Sequence, residues 1–183
     1  MLYTGRGDTG RTSFFGESKR SSKASLLAEA LGSCDELGSY LGLCKVKSQG
    51  YHIKLQNLWL DEIIRTVQGD LFIIQASLAG AEPAITEDKI RFIEELIHQV
   101  EREIPPIRNF IIAGGSELSA MLDVARTLTR QAERRVVAVK ESDDQRVQPH
   151  NLTYLNRLSS LLYALARYTN FSLGIKEENP TYD

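Results

Sequence analysis

The stretch Leu60-Asp61-Glu62-Ile63-Ile64-Arg65-Thr66-Val67-Gln68-Gly69-Asp70-Leu71-Phe72-Ile73-Ile74-Gln75-Ala76-Ser77-Leu78 decides the fold class. Within it Leu60, Ile64, Val67, Leu71, Ile74 and Leu78 recur at alternating steps of four and three, the rhythm of a helix that faces other helices. Upstream, Leu27, Ala30, Cys34, Leu37, Leu41 and Cys44 keep the same steps and predict a first helix. Downstream, a helical period runs from about Glu87 to Glu103 and stops before Pro105-Pro106, which cannot continue it. A fourth helix is predicted from Gly114-Gly115-Ser116 to about Lys140, and a fifth from about Asn151 to Gly174, a natural C-cap. The connections Gly80–Thr86, Ile104–Ser116 and Glu141–His150 are short enough for neighbouring helices. No alternating strand competes. The pattern predicts an all-α fold, an up-and-down bundle of about five helices in a single domain over 1–183, with a distinct head over 1–22 and a flexible, solvated tail over 177–183.

Composition narrows the function. Lys and Arg total 22 against 24 Asp and Glu, a net charge of −2, which excludes the strongly basic character of a nucleic-acid binder. Hydrophobic residues make up 42% and charged residues 25%, enough for a sizeable core and far from a disordered polyelectrolyte. The apolar runs Leu71–Ile74, Phe110–Ala113 and Leu161–Ala166 fall short of a membrane span, and Gly5-Arg6-Gly7-Asp8 follows Met1-Leu2-Tyr3 where a secretory signal would need an apolar run. Cys34 and Cys44, ten residues apart on one helix, stand about 15 Å apart along its axis, too far for a disulfide. The expectation is a cytoplasmic protein with no membrane partner. No C-x-x-C or H-x-x-x-H pair offers a zinc site, so no protein-ligated metal is expected.

The head carries the first chemical signal. Thr4-Gly5-Arg6-Gly7-Asp8-Thr9-Gly10-Arg11-Thr12-Ser13 combines glycines, hydroxyls and two arginines. Glycines let backbone N–H groups turn towards an anion, hydroxyls add donors, and guanidinium groups neutralise phosphate charge. Asp8 suits a hydrated Mg²⁺ accompanying a polyphosphate. It is not a Walker A loop, since no Gly-Lys-Ser/Thr closes it. Composition alone fits a flexible N-terminal arm equally well.

Two helical stripes carry the second. Asp123, Arg126, Arg130 and Glu133 lie at steps of three, four and three, flanking the apolar face of the fourth helix. A solvated, salt-bridged helix side explains such spacing; a groove that binds polyphosphate explains two arginines one turn apart. On the fifth helix Asn156, Ser160, Tyr163, Arg167 and Asn170 line up opposite Leu155, Leu158, Leu162, Leu165 and Thr169. That stripe has little Lys or Glu and a Tyr at its centre, which suggests contact with a second subunit or a ligand. Glu95-Leu96-Ile97-His98 has the spacing of a di-iron carboxylate element, but no second Glu-x-x-His accompanies it.

Taken together, head and stripes resemble the PduO-type ATP:cob(I)alamin adenosyltransferases over nearly the whole chain. The carrying segments are Tyr3-Thr4 with Gly7-Asp8-Thr9-Gly10-Arg11-Thr12, then Lys23, Glu29-Ala30 and Gly32-Ser33-Cys34-Asp35-Glu36-Leu37. They continue with Phe110-Ile111-Ile112-Ala113-Gly114-Gly115-Ser116, Ala125-Arg126-Thr127, Arg130 with Ala132-Glu133-Arg134-Arg135, and Tyr154-Leu155-Asn156-Arg157-Leu158-Ser159. The resemblance implies a homotrimer with active sites between subunits that transfers the 5′-deoxyadenosyl group of ATP to the cobalt of a reduced corrinoid, releasing triphosphate. It implies that Thr4, Gly5, Arg6, Gly7, Asp8, Gly10, Arg11, Thr12 and Ser13 wrap the triphosphate with Mg²⁺, aided by Lys23. It assigns Arg130, Glu133, Arg134 and Asn156 to ATP, Arg126 to a pair with Asp35 of the adjacent subunit, and Phe110 and Tyr163 to the corrin ring. Arg126, Arg130 and Asp35 are thus the catalytic candidates. The implied partners are a flavoprotein or other cobalt reductase and an adenosylcobalamin-dependent mutase or dehydratase.

The chain departs from the family pattern at Gly5-Arg6, at Ala113 where proline is usual, at Asp123 where histidine is frequent, and at Ser160 where aspartate is usual. Asp123 and Ser160 support an alternative: a catalytically impaired relative that binds ATP or adenosylcobalamin as a carrier or sensor.

Overall fold

The periodic segments form five helices, and their ends follow from capping chemistry. In the computed structural model, which describes residues 2–142 and 146–182, they are α1 (Leu26–Ser48), α2 (Leu60–Leu78), α3 (Glu87–Glu103), α4 (Glu117–Glu141) and α5 (Pro149–Ser172). Residues 143–145 of the expected 141–150 connection, together with Met1 and Asp183, lie outside the described residues. Ser25 and Ser116 cap α1 and α4 by accepting from the amides of Ala28 and Ser119, at 3.4 and 3.1 Å. Glu62 accepts from the Trp59 amide at 2.8 Å at the start of α2. α5 begins two residues before the expected start, because Pro149 fits the first turn, where a missing N–H costs nothing. Two short antiparallel ladders were not foreseen: β1 (Arg11–Thr12) with β2 (Ser21–Ser22), and β3 (Lys54–Leu55) with β4 (Leu58–Trp59).

Polar contacts along the helices set their directions. Lys47 meets Glu117 at 2.6 Å and Glu29 meets Arg135 at 3.6 Å, so α1 and α4 are antiparallel. The Ser116 amide donates to Asn170 and Asn156 donates to Glu133, both at 3.0 Å, which makes α4 and α5 antiparallel. Arg157–Glu94 and Tyr168–Glu103 contacts make α3 and α5 parallel. α1 therefore packs between α2 and α4, and α5 between α4 and α3, in the up-and-down order the short connections imply.

The core is one apolar cluster drawn from all five helices. Its main polar element is Asp70 on α2, 2% exposed, which accepts from the Tyr154 hydroxyl at 2.8 Å and pairs with Lys89 at 2.5 Å. One carboxylate thereby joins α2, α3 and α5. Burial, reinforced by Asp70, pushes the Tyr154 phenol far above its usual value, so it stays a donor. Cys34 and Cys44 are free, and burial pushes their thiols up to about 12 and about 11. No helix among the described residues is long and apolar enough to cross a membrane.

Two expectations need correction. The stripe on α5 is not one face of one kind: Asn156 and Ser160 are exposed and Tyr163 half-buried, whereas Arg167 and Asn170 are buried and engaged in structural hydrogen bonds. The tail, expected to be flexible and solvated, is bonded over residues 177–179. Glu177 takes a forked contact from Arg167, the Glu178 carbonyl accepts from the Ile112 amide at 2.8 Å, and Asn179 donates to the Phe110 carbonyl at 2.8 Å.

Candidate active site

One end of the bundle gathers the close of α3, the 104–116 connection, the start of α4, the close of α5 and the tail. Asn170 organises it by accepting from the Ser116 amide at 3.0 Å and donating to the Gly114 carbonyl at 2.9 Å. A Cβ at Gly115 would lie 2.6 Å from the Asn170 oxygen, and the residue has φ +95°, so glycine is required there on both counts. Arg167, 9% exposed, donates to the Glu177 carboxylate at 2.8–3.1 Å and to the Pro105 carbonyl at 3.3 Å. The backbone at 104–106, 110–114 and 177–179 is thus tied to α5 and its tail contacts.

Two adjoining cavities open at this end. The first, about 550 Å³, has an apolar wall from Ile97, Val100, Ile104 and Ile107, with Arg126, Arg130, Ser160 and Tyr163 opposite. The second, about 940 Å³, lies between the 107–111 segment and the tail, with Phe110, Tyr163, Pro180 and Tyr182 along it. Arg126 and Tyr163 line both. Phe110 is 79% exposed, so it is no core plug but an aromatic presented at a cavity rim. Burial raises the Tyr163 phenol above its usual value, which keeps the phenol itself neutral beside the Arg126 guanidinium.

Within the α4 stripe, Arg126 Nε donates to Asp123 at 3.0 Å, and the guanidinium lies 6.0 Å from the Tyr163 ring centroid. Arg130 makes no hydrogen bond or ion pair with a described residue and is an exposed cation lining the first cavity, which Glu101 also lines. Glu133 is held by Asn156, whose own carbonyl accepts from Arg157 at 2.8 Å. Arg134 and Asp35 are exposed, on α4 and α1. Arg126 thus pairs within the chain with Asp123, while Asp35 has no ion-pair or hydrogen-bond partner among the described residues.

The glycine-rich head is ordered as a closed loop. Asp8 and Gly10 amides donate to the carbonyls of Gly5 and Gly7 at 3.2 and 3.1 Å, and Gly5 and Gly10 take positive φ. The Thr4 hydroxyl accepts from the Arg6 amide at 3.4 Å. The Lys23 ammonium lies over Gly7, where an added Cβ would sit 2.9 Å from Nζ. Arg11 and Thr12 form β1, and Thr12 and Ser13 line a shallow cleft with Lys23 and Phe14 against Ala28 and Ala79. The residue that closes the loop is Arg20, which donates to the carbonyls of both Arg6 and Arg11, the latter at 2.7 Å. Sequence reasoning missed Arg20, because a lone arginine outside the glycine motif carries no pattern. Among the described residues no hydrogen bond or ion pair joins residues 4–13 or Lys23 to Arg126, Arg130, Glu133 or Asn156. Glu95 and His98 pair with Arg102 and Glu101 on the exposed side of α3, which removes the di-iron reading.

A bundle with an arginine-lined groove, an adjoining wide cavity with an aromatic rim and a closed glycine-rich loop has the parts to take a phosphorylated ligand and a second, larger one. The chain belongs to the cobalamin adenosyltransferase family, whose profile matches residues 2–169. It is 38% identical to the corrinoid adenosyltransferase of Bacillus subtilis, over 95% of this chain and 89% of the relative. It is 34% identical to a corrinoid adenosyltransferase of Citrobacter freundii, over 91% of this chain and 93% of that one. Among solved structures, a variant PduO-type ATP:corrinoid adenosyltransferase from Lactobacillus reuteri, complexed with cobalamin and ATP, superposes with a TM-score of 0.88 at 28% identity, covering 100% of both chains.

Proposed function

We propose that this chain transfers the 5′-deoxyadenosyl group of ATP to the cobalt of a reduced corrinoid, using sites shared between neighbouring subunits of a homotrimer. The observation that carries the reading is the unpaired Arg130 beside the Arg126–Tyr163 wall, with the exposed Phe110 in the cavity beyond. The reduced cobalt supplies an electron pair to C5′, the Co–C bond forms as the C5′–O bond breaks, and triphosphate leaves with the bonding electrons. No protein nucleophile or general base is needed. The protein's work is to bind, orient and neutralise.

Arg130, Lys23 and the loop amides of residues 4–13 would meet the triphosphate, where negative charge grows on the leaving oxygen. Glu133 and Asn156, already bonded to one another, would fix the nucleoside, and Arg134 would add charge at the phosphate end. Among the described residues no cluster of three His, Cys, Asp or Glu stands together. A Mg²⁺ would be held mainly by phosphates and water, with Asp8, the single carboxylate of the loop, as its protein contact. Mg²⁺ would neutralise the leaving group. Phe110 presents an apolar ring on which the lower face of the corrin would rest, excluding an axial donor from cobalt and so easing its reduction.

The lack of any hydrogen bond or ion pair between residues 4–13 or Lys23 and the Arg126–Glu133 stripe, among the described residues, is consistent with completion of each site by a second copy, with Asp35 of one chain reaching Arg126 of the next. The proposal includes a cytoplasmic setting, a flavoprotein or other cobalt reductase as electron source, and an adenosylcobalamin-dependent mutase or dehydratase as acceptor. The test is direct: ATP with chemically reduced corrinoid, followed for loss of Co(I) absorbance and gain of the Co–C chromophore. Binding of both ligands without Co–C bond formation would leave the carrier or sensor reading, to which Asp123 and Ser160 belong.

A further inference from the structure

Arg126 occupies an unusual place, since its side chain borders both cavities and the narrow cleft behind them. Its neighbours hold it from two sides. Asp123, one turn earlier on α4 and only 12% exposed in its side chain, accepts from Nε at 3.0 Å. The Tyr163 ring lies 6.0 Å from Cζ. No described residue accepts from Nη1 or Nη2, so both remain available to a ligand or a second chain. A guanidinium has a fixed plane, and a carboxylate on Nε orients that plane as a point charge could not.

We propose that Asp123 is a positioning residue: by holding Nε it keeps Arg126 as a partition between the two cavities, and it thereby sets the affinity of the wider cavity for the corrinoid. The inference rests on the proposed function. Without the carboxylate, the long side chain is no longer held in its plane against Tyr163. Corrinoid binding then weakens, because the wall that Arg126 and Tyr163 share is no longer in place. ATP binding holds, because Arg130 and the loop residues proposed to meet the phosphates are untouched. A residue with a merely structural role would weaken both together.

The experiment titrates cob(II)alamin into the full-length protein with Mg²⁺ and ATP present, reading Kd from the spectral change and the KM for ATP from turnover. Asp123→Asn is expected to weaken corrinoid binding roughly tenfold, the loss of one charge-assisted contact, with the KM for ATP unchanged. Asp123→Glu, which keeps the carboxylate, is expected to restore most of the affinity. Arg126→Lys, which keeps the charge but has no Nε–H fork, gives the same selective loss and serves should the Asn variant fail to fold. A corrinoid Kd in Asp123→Asn and Arg126→Lys within about twofold of wild type overturns the proposal, as does a parallel loss of both affinities. If the wild-type chain binds corrinoid without turnover, the enzymatic reading fails, the ATP arm is read by direct titration, and the same comparison decides the role of Asp123. If it binds no corrinoid, both fall.

Discussion

The two ends of the proposed site are built differently. The end with Phe110, proposed for the corrin, is locked within one chain: Asn170 pins Gly114 and Ser116, Arg167 clamps Glu177, and the 110–112 backbone is bonded to the tail. The end proposed for the triphosphate is a glycine-rich loop closed by Arg20 across two carbonyls, joined to none of the described stripe residues that it would serve. A site made within one chain can be rigid and preformed; a loop that makes no contact with its proposed partner residues in its own chain is free to serve a second copy. The contrast assigns stability to one end and assembly to the other.

Substitutions at each end should therefore fail in different ways. The largest effect on turnover is expected from Arg130→Ala, which removes a contact that strengthens as triphosphate departs; kcat/KM should fall by on the order of 2–4 kcal/mol with the circular dichroism spectrum unchanged. Near-normal turnover would remove Arg130 from the site. At the locked end, Gly115→Ala forces a Cβ into the Asn170 amide at positive φ, and urea unfolding should report a loss of about 2–4 kcal/mol. An unchanged midpoint would show that Asn170 does not hold this backbone.

Phe110→Ala separates rim from core. The ring is exposed, so stability should move by less than about 0.5 kcal/mol while adenosylation drops and ATP affinity persists. Bound Co(II) should change from four-coordinate to five-coordinate; a melting transition lowered together with every activity would return the residue to the core. The smallest effect belongs to Asp35→Asn, an exposed carboxylate in the isolated chain, expected to cost about 1 kcal/mol in activity and to loosen the trimer measurably by light scattering at low concentration. A loss of the same size in a variant shown to be monomeric would contradict an inter-subunit role.

Much of this was legible in the residues. The steps of four and three from Leu60 to Leu78 foretold α2 at its observed bounds, and Pro105-Pro106 foretold the end of α3, because apolar periodicity and proline are local signals. The α4 stripe was legible too, and Arg126 and Arg130 do share one cavity. Arg20 and the Arg167–Glu177 clamp were not, since each depends on a backbone carbonyl or a tail brought near by tertiary folding. The α5 stripe misled for a related reason: Arg167 and Asn170 share a helical face with Asn156 and Ser160, but the tail and the 114–116 turn cover that face at one end. Periodicity gives the face of a helix, not what folds across it.

The central claim is that the loop and the stripe of one active site come from different chains, and a mixing experiment tests it most directly. Lys23→Ala damages the loop and Arg130→Ala damages the stripe, so each variant alone should be nearly inactive. Unfolded together in equal amounts and refolded, they should regain about one quarter of wild-type activity, because random assembly restores one intact loop against one intact stripe at that share of interfaces. A mixture no more active than its two parents, in particles shown to contain both variants, would contradict the claim and place each site within a single chain.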